Sequence, residues 1–86
     1  LFEKQEPMYS KRENEVLDFM EAMAYELGYD LGIVQVKNLD FYTSNFRVWN
    51  DQGLDFDEIA IAIEDVLGYK CEVAVGRGEA TFTVYF

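Results

Sequence analysis

The chain has 86 residues, half of them hydrophobic, one Pro, and a formal net charge of -10 from 17 acidic and 7 basic side chains. That length allows one domain around one core and excludes two, and so much apolar side chain excludes a disordered chain, because its burial offsets the entropy of ordering. The charge repels nucleic acid and anionic membrane surfaces and favours a protein partner with a basic surface.

Leu1–Tyr9 mixes charges around Pro7 without a period and reads as a flexible leader or an expression remnant, leaving 10–86 as the single domain. Ser10 and Glu13 have the spacing of a capping box, in which each side chain accepts from an otherwise unpaired amide at a helix start. Val16, Phe19, Met20, Met23 and Leu27 then recur at three- and four-residue steps, which predicts a helix from Lys11 to Leu27 with that stripe in the core. Gly28 stops it and Tyr29 folds back on its last turn. Leu31–Lys37 is rich in branched residues and Phe41–Trp49 alternates, so two strands with a turn at Asn38–Asp40 are expected to pair as a hairpin. Asn50-Asp51-Gln52-Gly53 is a loop by composition. Asp55 and Glu58 make a second capping box for a helix that Gly68 ends, with Phe56, Ile59, Ile63 and Val66 as its core stripe. Cys71–Val75 and Ala80–Phe86 read as strands around Gly76-Arg77-Gly78-Glu79, the clearest hairpin turn in the chain.

The order helix, strand, strand, helix, strand, strand is that of an α+β fold. It reads as a tandem αββαββ, with an internal repeat of 10–50 and 54–86 suggested by the echo of Leu27-Gly28-Tyr29 in Leu67-Gly68-Tyr69. Two helices packed on one face of a four-stranded, mainly antiparallel sheet is the simplest way to bury both stripes. Alternation then points Val34, Val36, Phe46, Val48, Val73, Val75, Phe82 and Val84 at the helices. Gln35, Lys37, Asn45, Arg47, Trp49, Thr81, Thr83 and Tyr85 point away.

Most enzyme signatures are missing. The sequence has no His, which excludes Ser-His and Cys-His catalysis within the chain, and it has no phosphate-binding loop or dinucleotide fingerprint. The one cysteine, Cys71, sits in a strand and reads as a small core residue; alone it makes no internal disulfide, which suits a reducing compartment. Oxygen-bearing side chains surround Gly53 faintly as in a calcium loop, but the spacing fails, and Asp55 and Glu58 already have capping work. No metal, cofactor or catalytic residue is expected. The same element order occurs in LAGLIDADG homing endonucleases, which place one acid at the end of each equivalent helix; Asp30 follows the first helix here, but Lys70 holds the matching place, and the charge repels DNA. With no run of about eighteen apolar residues and no signal peptide, the chain reads as a soluble, cytoplasmic protein without a membrane partner.

The acids are concentrated. Six lie between Glu13 and Asp30 and six between Asp51 and Asp65, with no base in either window, so twelve of 17 sit in or beside the helices. At 100° per residue, Glu15, Asp18 and Glu21 fall opposite the first core stripe, and Asp57, Glu58, Glu64 and Asp65 opposite the second. Tyr25 and Ile61 interrupt these acidic faces as apolar anchors within charged rims, the common build of an interface hot spot. The expectation is a non-enzymatic interaction domain that docks a basic surface. Its most concrete form is an inhibitor that mimics DNA, in the manner of phage-encoded inhibitors. Alternatives are a subdomain docking through an open sheet face bearing Lys37, Arg47, Trp49 and Tyr85, a homodimer through Ile61, and, more weakly, a carboxylate enzyme using a divalent metal.

Overall fold

The computed structural model describes residues 10–86; the expected leader, Leu1–Tyr9, lies outside them. The elements are α1 (Lys11–Glu26), β1 (Gly32–Asp40), β2 (Thr43–Trp49), α2 (Phe56–Ala62) continued by a π-helical turn (Ile63–Leu67), β3 (Lys70–Val75) and β4 (Glu79–Tyr85). All neighbouring strands pair antiparallel in the order β1-β2-β4-β3, which puts β2 and β4 in the centre and leaves β1 and β3 as edges.

Phe46, Val48, Phe82 and Val84 are fully buried on one sheet face, where they meet Val16, Met20 and Ala24 of α1 and Phe56, Ile59 and Ile63 of the second helical segment in one cluster. Each large side chain in it contributes about 1.5–3 kcal/mol before ordering entropy. Gln35, Lys37, Arg47, Trp49 and Tyr85 on the other face stay exposed, so both helices cover the same side. β1 and β3 point in opposite directions, and the beginning of α1 lies beside the end of the second helical segment. A bond from the Tyr69 hydroxyl to Glu15 Oε1 (2.8 Å) joins the two.

Both helix starts use the residues expected, though not in the same way. Ser10 and Glu13 complete their capping box, with Glu13 N–H donating to Ser10 Oγ (3.1 Å) and Ser10 N–H to Glu13 Oε1 (2.9 Å). Asp55 Oδ1 accepts from Asp57 and Glu58 N–H, but Glu58 does not return the bond, so this box is only half made. Both helices end on a glycine with positive φ, 90° at Gly28 and 81° at Gly68, a conformation that a Cβ would oppose.

Four expectations about side-chain placement need correction. Val66 is 67% exposed because the π-helical turn uses an extra residue: Gly68 N–H reaches back five residues to Ile63 O, and this rotates Leu67, not Val66, toward the core. Leu27, the cap of α1, lies past the last covered turn and is also exposed. In β1 a bulge leaves Val34 between the pairs Ile33↔Val48 and Gln35↔Arg47, so Ile33 faces the helices and Val34 faces solvent. Val75 has the right parity but lies at the end of an edge strand, in a groove open to solvent.

The first hairpin turn is also displaced. Asn38, Leu39 and Asp40 belong to β1, and the tip is Phe41-Tyr42, closed by Tyr42 N–H donating to Asp40 Oδ1 (2.8 Å). The Asn38 amide bonds Ser44 Oγ (3.2 Å) and Asp40 O (3.0 Å), which holds it in the hairpin. Arg12 supports the aromatic tip by donating to Phe41 O (3.1 Å) with its guanidinium over the Phe41 and Phe86 rings.

Candidate functional site

The exposed side of the helix layer is built by α1, α2 and the π-helical turn that continues α2. Once the Val16–Met20–Ala24 and Phe56–Ile59–Ile63 stripes are spent on the core, helical geometry turns Glu15, Asp18, Glu21 and Tyr25, and Asp57, Glu58, Ile61, Glu64 and Asp65, to solvent, and all nine are exposed. Tyr25 is 80% and Ile61 61% exposed, so each stands as an apolar projection on a carboxylate-bearing surface. Among the described residues the one ion pair is Arg47–Glu79, on the opposite face of the molecule. Among the described residues, then, no helix-layer carboxylate has a cationic side chain within ion-pair distance.

The nine residues are not equivalent. Glu15 is committed to Tyr69, whose hydroxyl is held protonated above its ordinary pKa by that hydrogen bond and, less, by burial. Glu64 Oε2 accepts from the backbone N–H of Cys71 (2.9 Å), so it closes part of the free edge of β3. Asp18, Glu21, Asp57, Glu58 and Asp65 make no such side-chain bond to another described residue.

The opposite face is chemically more occupied than its sequence suggests. Arg47 donates to both oxygens of Glu79 (3.2 and 3.4 Å), and the Tyr85 hydroxyl donates to Glu72 Oε1 (3.0 Å) while the Lys70 ammonium lies 5.8 Å from its ring centre. Trp49 lies close against Gly32 and Gly78, where added Cβ atoms would touch its side chain. Lys37 and Trp49 remain exposed there, but Arg47 is matched by an acid, which reduces what this face offers a phosphate backbone.

Three buried polar side chains, Glu13, Ser44 and Asn50, went unrecognised in the sequence. Glu13, read only as half of a capping box, is buried and also accepts from the Ser44 hydroxyl and, at 3.4 Å, from the Asn38 amide, tying α1 to the first hairpin. Burial alone would raise its pKa; the bonds from Ser44, Ser10 and Asn38 together outweigh it and hold the carboxyl below its ordinary value. The parity of Ser44, two residues before Phe46, was the available signal for a polar group inside. Asn50, read as loop, is also buried: its amide donates to Asp30 O (2.6 Å), its Oδ1 accepts from Gln52 N–H (2.9 Å) and Leu54 N–H (3.3 Å), and its own N–H donates to Gly78 O (2.9 Å). One residue thus joins three loops at one end of the sheet, two through its side chain and the third, at Gly78, through its backbone N–H. Cys71 is buried, and burial, with Glu64 and Glu72 nearby, pushes its thiol up to about 12, leaving it unreactive.

Beside the acidic layer, an open groove of about 370 Å³ separates α2 from the free edge of β3, lined by Asp57, Ala60, Ile61, Glu64, Cys71 and Val73. It depends on β3 being an edge, which chain order alone does not determine. Among the described residues no group of three Asp, Glu, His or Cys side chains stands close enough to hold a metal ion, and no helix is long and apolar enough to cross a membrane. No protein-family model matches the chain, and no curated protein matches it in sequence.

Proposed function

We propose that this chain is a non-enzymatic interaction domain whose acidic helix layer docks a basic surface on another protein. The observation that carries the reading is the combination on one side of the fold of exposed carboxylates without an ion-pair partner among the described residues and two exposed apolar projections, Tyr25 and Ile61. Carboxylates steer and orient a basic partner, and desolvated apolar anchors supply the contact energy. The fold reads as two αββ units, each contributing a hairpin to the sheet and a helix to this layer; the central β2–β4 pairing and the matched glycine stops support that reading. Its most specific form is a DNA mimic, with spaced carboxylates taking phosphate positions on a nucleic-acid-binding protein.

The test is binding of the purified partner, identified by capture, across a salt series. Affinity that falls steeply with salt and drops on reversal of Asp18, Glu21, Asp57 and Asp65 supports the reading. Competition with DNA for the same partner supports the mimic. A second reading, a subdomain covered through its sheet face, is favoured by Trp49, which is 46% exposed on that face. Binding indifferent to the carboxylate reversals but abolished by Trp49→Ala decides for it.

A further inference from the structure

The two sheet edges are not alike. β1 is interrupted twice, between Ile33 and Gln35 and between Asn38 and Asp40, and such irregularities blunt an edge against added strands. β3 pairs with β4 through six consecutive residues, Lys70 to Val75, without a break. The bond from Cys71 N–H to Glu64 shows which way that residue's amide points, out from the sheet, and Gly76 N–H, donating to Glu79 O, points inward. By the alternation of the ladder, Val73 and Val75 direct their N–H and C=O groups out of the same free edge as Cys71, and no described group bonds them. Glu64 closes this edge at Cys71 only.

The groove beside Val73 adds side-chain chemistry to that backbone template. Ala60, Ile61 and Val73 form an apolar surface, and Asp57 and Glu64 stand on its helical rim. We infer that the free edge of β3 receives an extended segment of a basic partner as a fifth strand, its helix-side residues placing an apolar side chain against Ile61 and Val73 and Lys or Arg beside Asp57 and Glu64. Backbone pairing supplies affinity in such an arrangement, and alternate side chains supply selection. Charge decides the occupant: a second copy pairing β3 against β3 would bring the Asp57 and Glu64 rims of two molecules, each of net charge -10, together, whereas a basic strand neutralises them. This inference rests on the acidic-layer reading and specifies the form of the partner there.

The probe is a synthetic heptapeptide, Thr-Lys-Thr-Val-Thr-Lys-Thr, titrated into the intact chain and followed by amide NMR, beside a peptide of identical side chains whose backbone is N-methylated at alternate residues. The unmodified peptide is expected to shift and protect the Val73 and Val75 amides, and to bind about tenfold more tightly than the methylated one, which loses ladder hydrogen bonds but no charge. Val73→Pro, which removes an outward donor that β4 does not use, is expected to abolish that difference while the β4 amides keep their wild-type shifts. Ile61→Ser, which removes the apolar contact without changing charge, is expected to weaken binding without unfolding, since the side chain is exposed. Equal binding of both peptides, with shifts confined to the helices, overturns the strand inference and leaves the acidic-layer reading standing. Binding of neither peptide contradicts both for this probe. A concentration-dependent dimer that Val73→Pro dissolves overturns the choice of occupant.

Discussion

Glu13→Gln isolates the buried carboxylate that joins α1 to the first hairpin. Glu13 accepts from the Ser10 amide, the Ser44 hydroxyl and the Asn38 amide, and the structure gives it no cation among the described residues. Glutamine keeps the shape but replaces one accepting oxygen by an NH₂ group. If that group faces Ser10, two donors oppose each other; if it faces the hairpin, the Ser44 hydroxyl must rotate and Asn38 loses an acceptor. Exchanging a charge-assisted set for a neutral one costs about 1.5 kcal/mol, which for a domain of this size lowers Tm by about 6–12 °C. The pH dependence gives the more specific signature. The folded-state pKa of Glu13 lies below its ordinary value of 4.5, so the carboxylate's stabilisation is present above that pH and is lost as pH falls through the folded pKa. Other acids relieve mutual repulsion as they protonate, so the readable quantity is the wild-type minus Glu13→Gln difference from urea unfolding. It is expected to be flat near neutrality and to close below pH 4.5. A difference near zero at neutral pH, or one that persists unchanged into acid, refutes the assignment of Glu13 as a stabilising buried carboxylate.

Asn50→Ala removes the acceptor of the Gln52 and Leu54 amides and the donor to Asp30 O, so it is expected to cost about 2–3 kcal/mol by urea unfolding, where an ordinary loop substitution stays within about 0.5 kcal/mol. Val66→Lys is expected to leave stability nearly unchanged and Leu67→Lys to lower it by over about 1 kcal/mol, because the π-helical turn exchanges their faces; the reverse order would show a regular α-helix through this segment. The Cys71 thiol, held at about 12, is expected to react with a disulfide reagent at pH 8 only at the rate of unfolding, and to react at once in denaturant.

The fold was largely legible because its strongest signals are local. The Ser10–Glu13 box, the Gly28 and Gly68 stops, and the alternation through Phe46, Val48, Phe82 and Val84 each depend on residues close in sequence, and each lies where its pattern placed it. What was not legible depends on backbone irregularity or on contacts across the chain. A period of 3.6 cannot anticipate the π-helical turn that exposes Val66, and a period of two cannot anticipate the bulge that turns Val34 outward. Glu13 and Asn50 looked like terminal and loop residues because the groups that bury them, Ser44 and Asp30 O, are 31 and 20 residues away. For the candidate site, sequence located the exposed acids, Tyr25 and Ile61. It could not show that Glu15 bonds Tyr69, which follows from how the two helical segments meet, or that Glu64 bonds the Cys71 amide and Ile61 borders the free edge of β3, which follow from which strand lies at the edge.

The central claim concerns the acidic helix layer, and the direct measurement is the affinity of a purified partner for the intact chain and for the Asp18, Glu21, Asp57 and Asp65 reversals, from about 50 to about 500 mM salt. These positions avoid Glu15 and Glu64, whose internal bonds would confuse binding with folding. The account predicts that wild-type affinity falls steeply with salt, that each reversal weakens binding at low salt, and that the difference between the chains shrinks as salt screens the layer. Binding of equal strength by all of these chains, independent of salt, would contradict it.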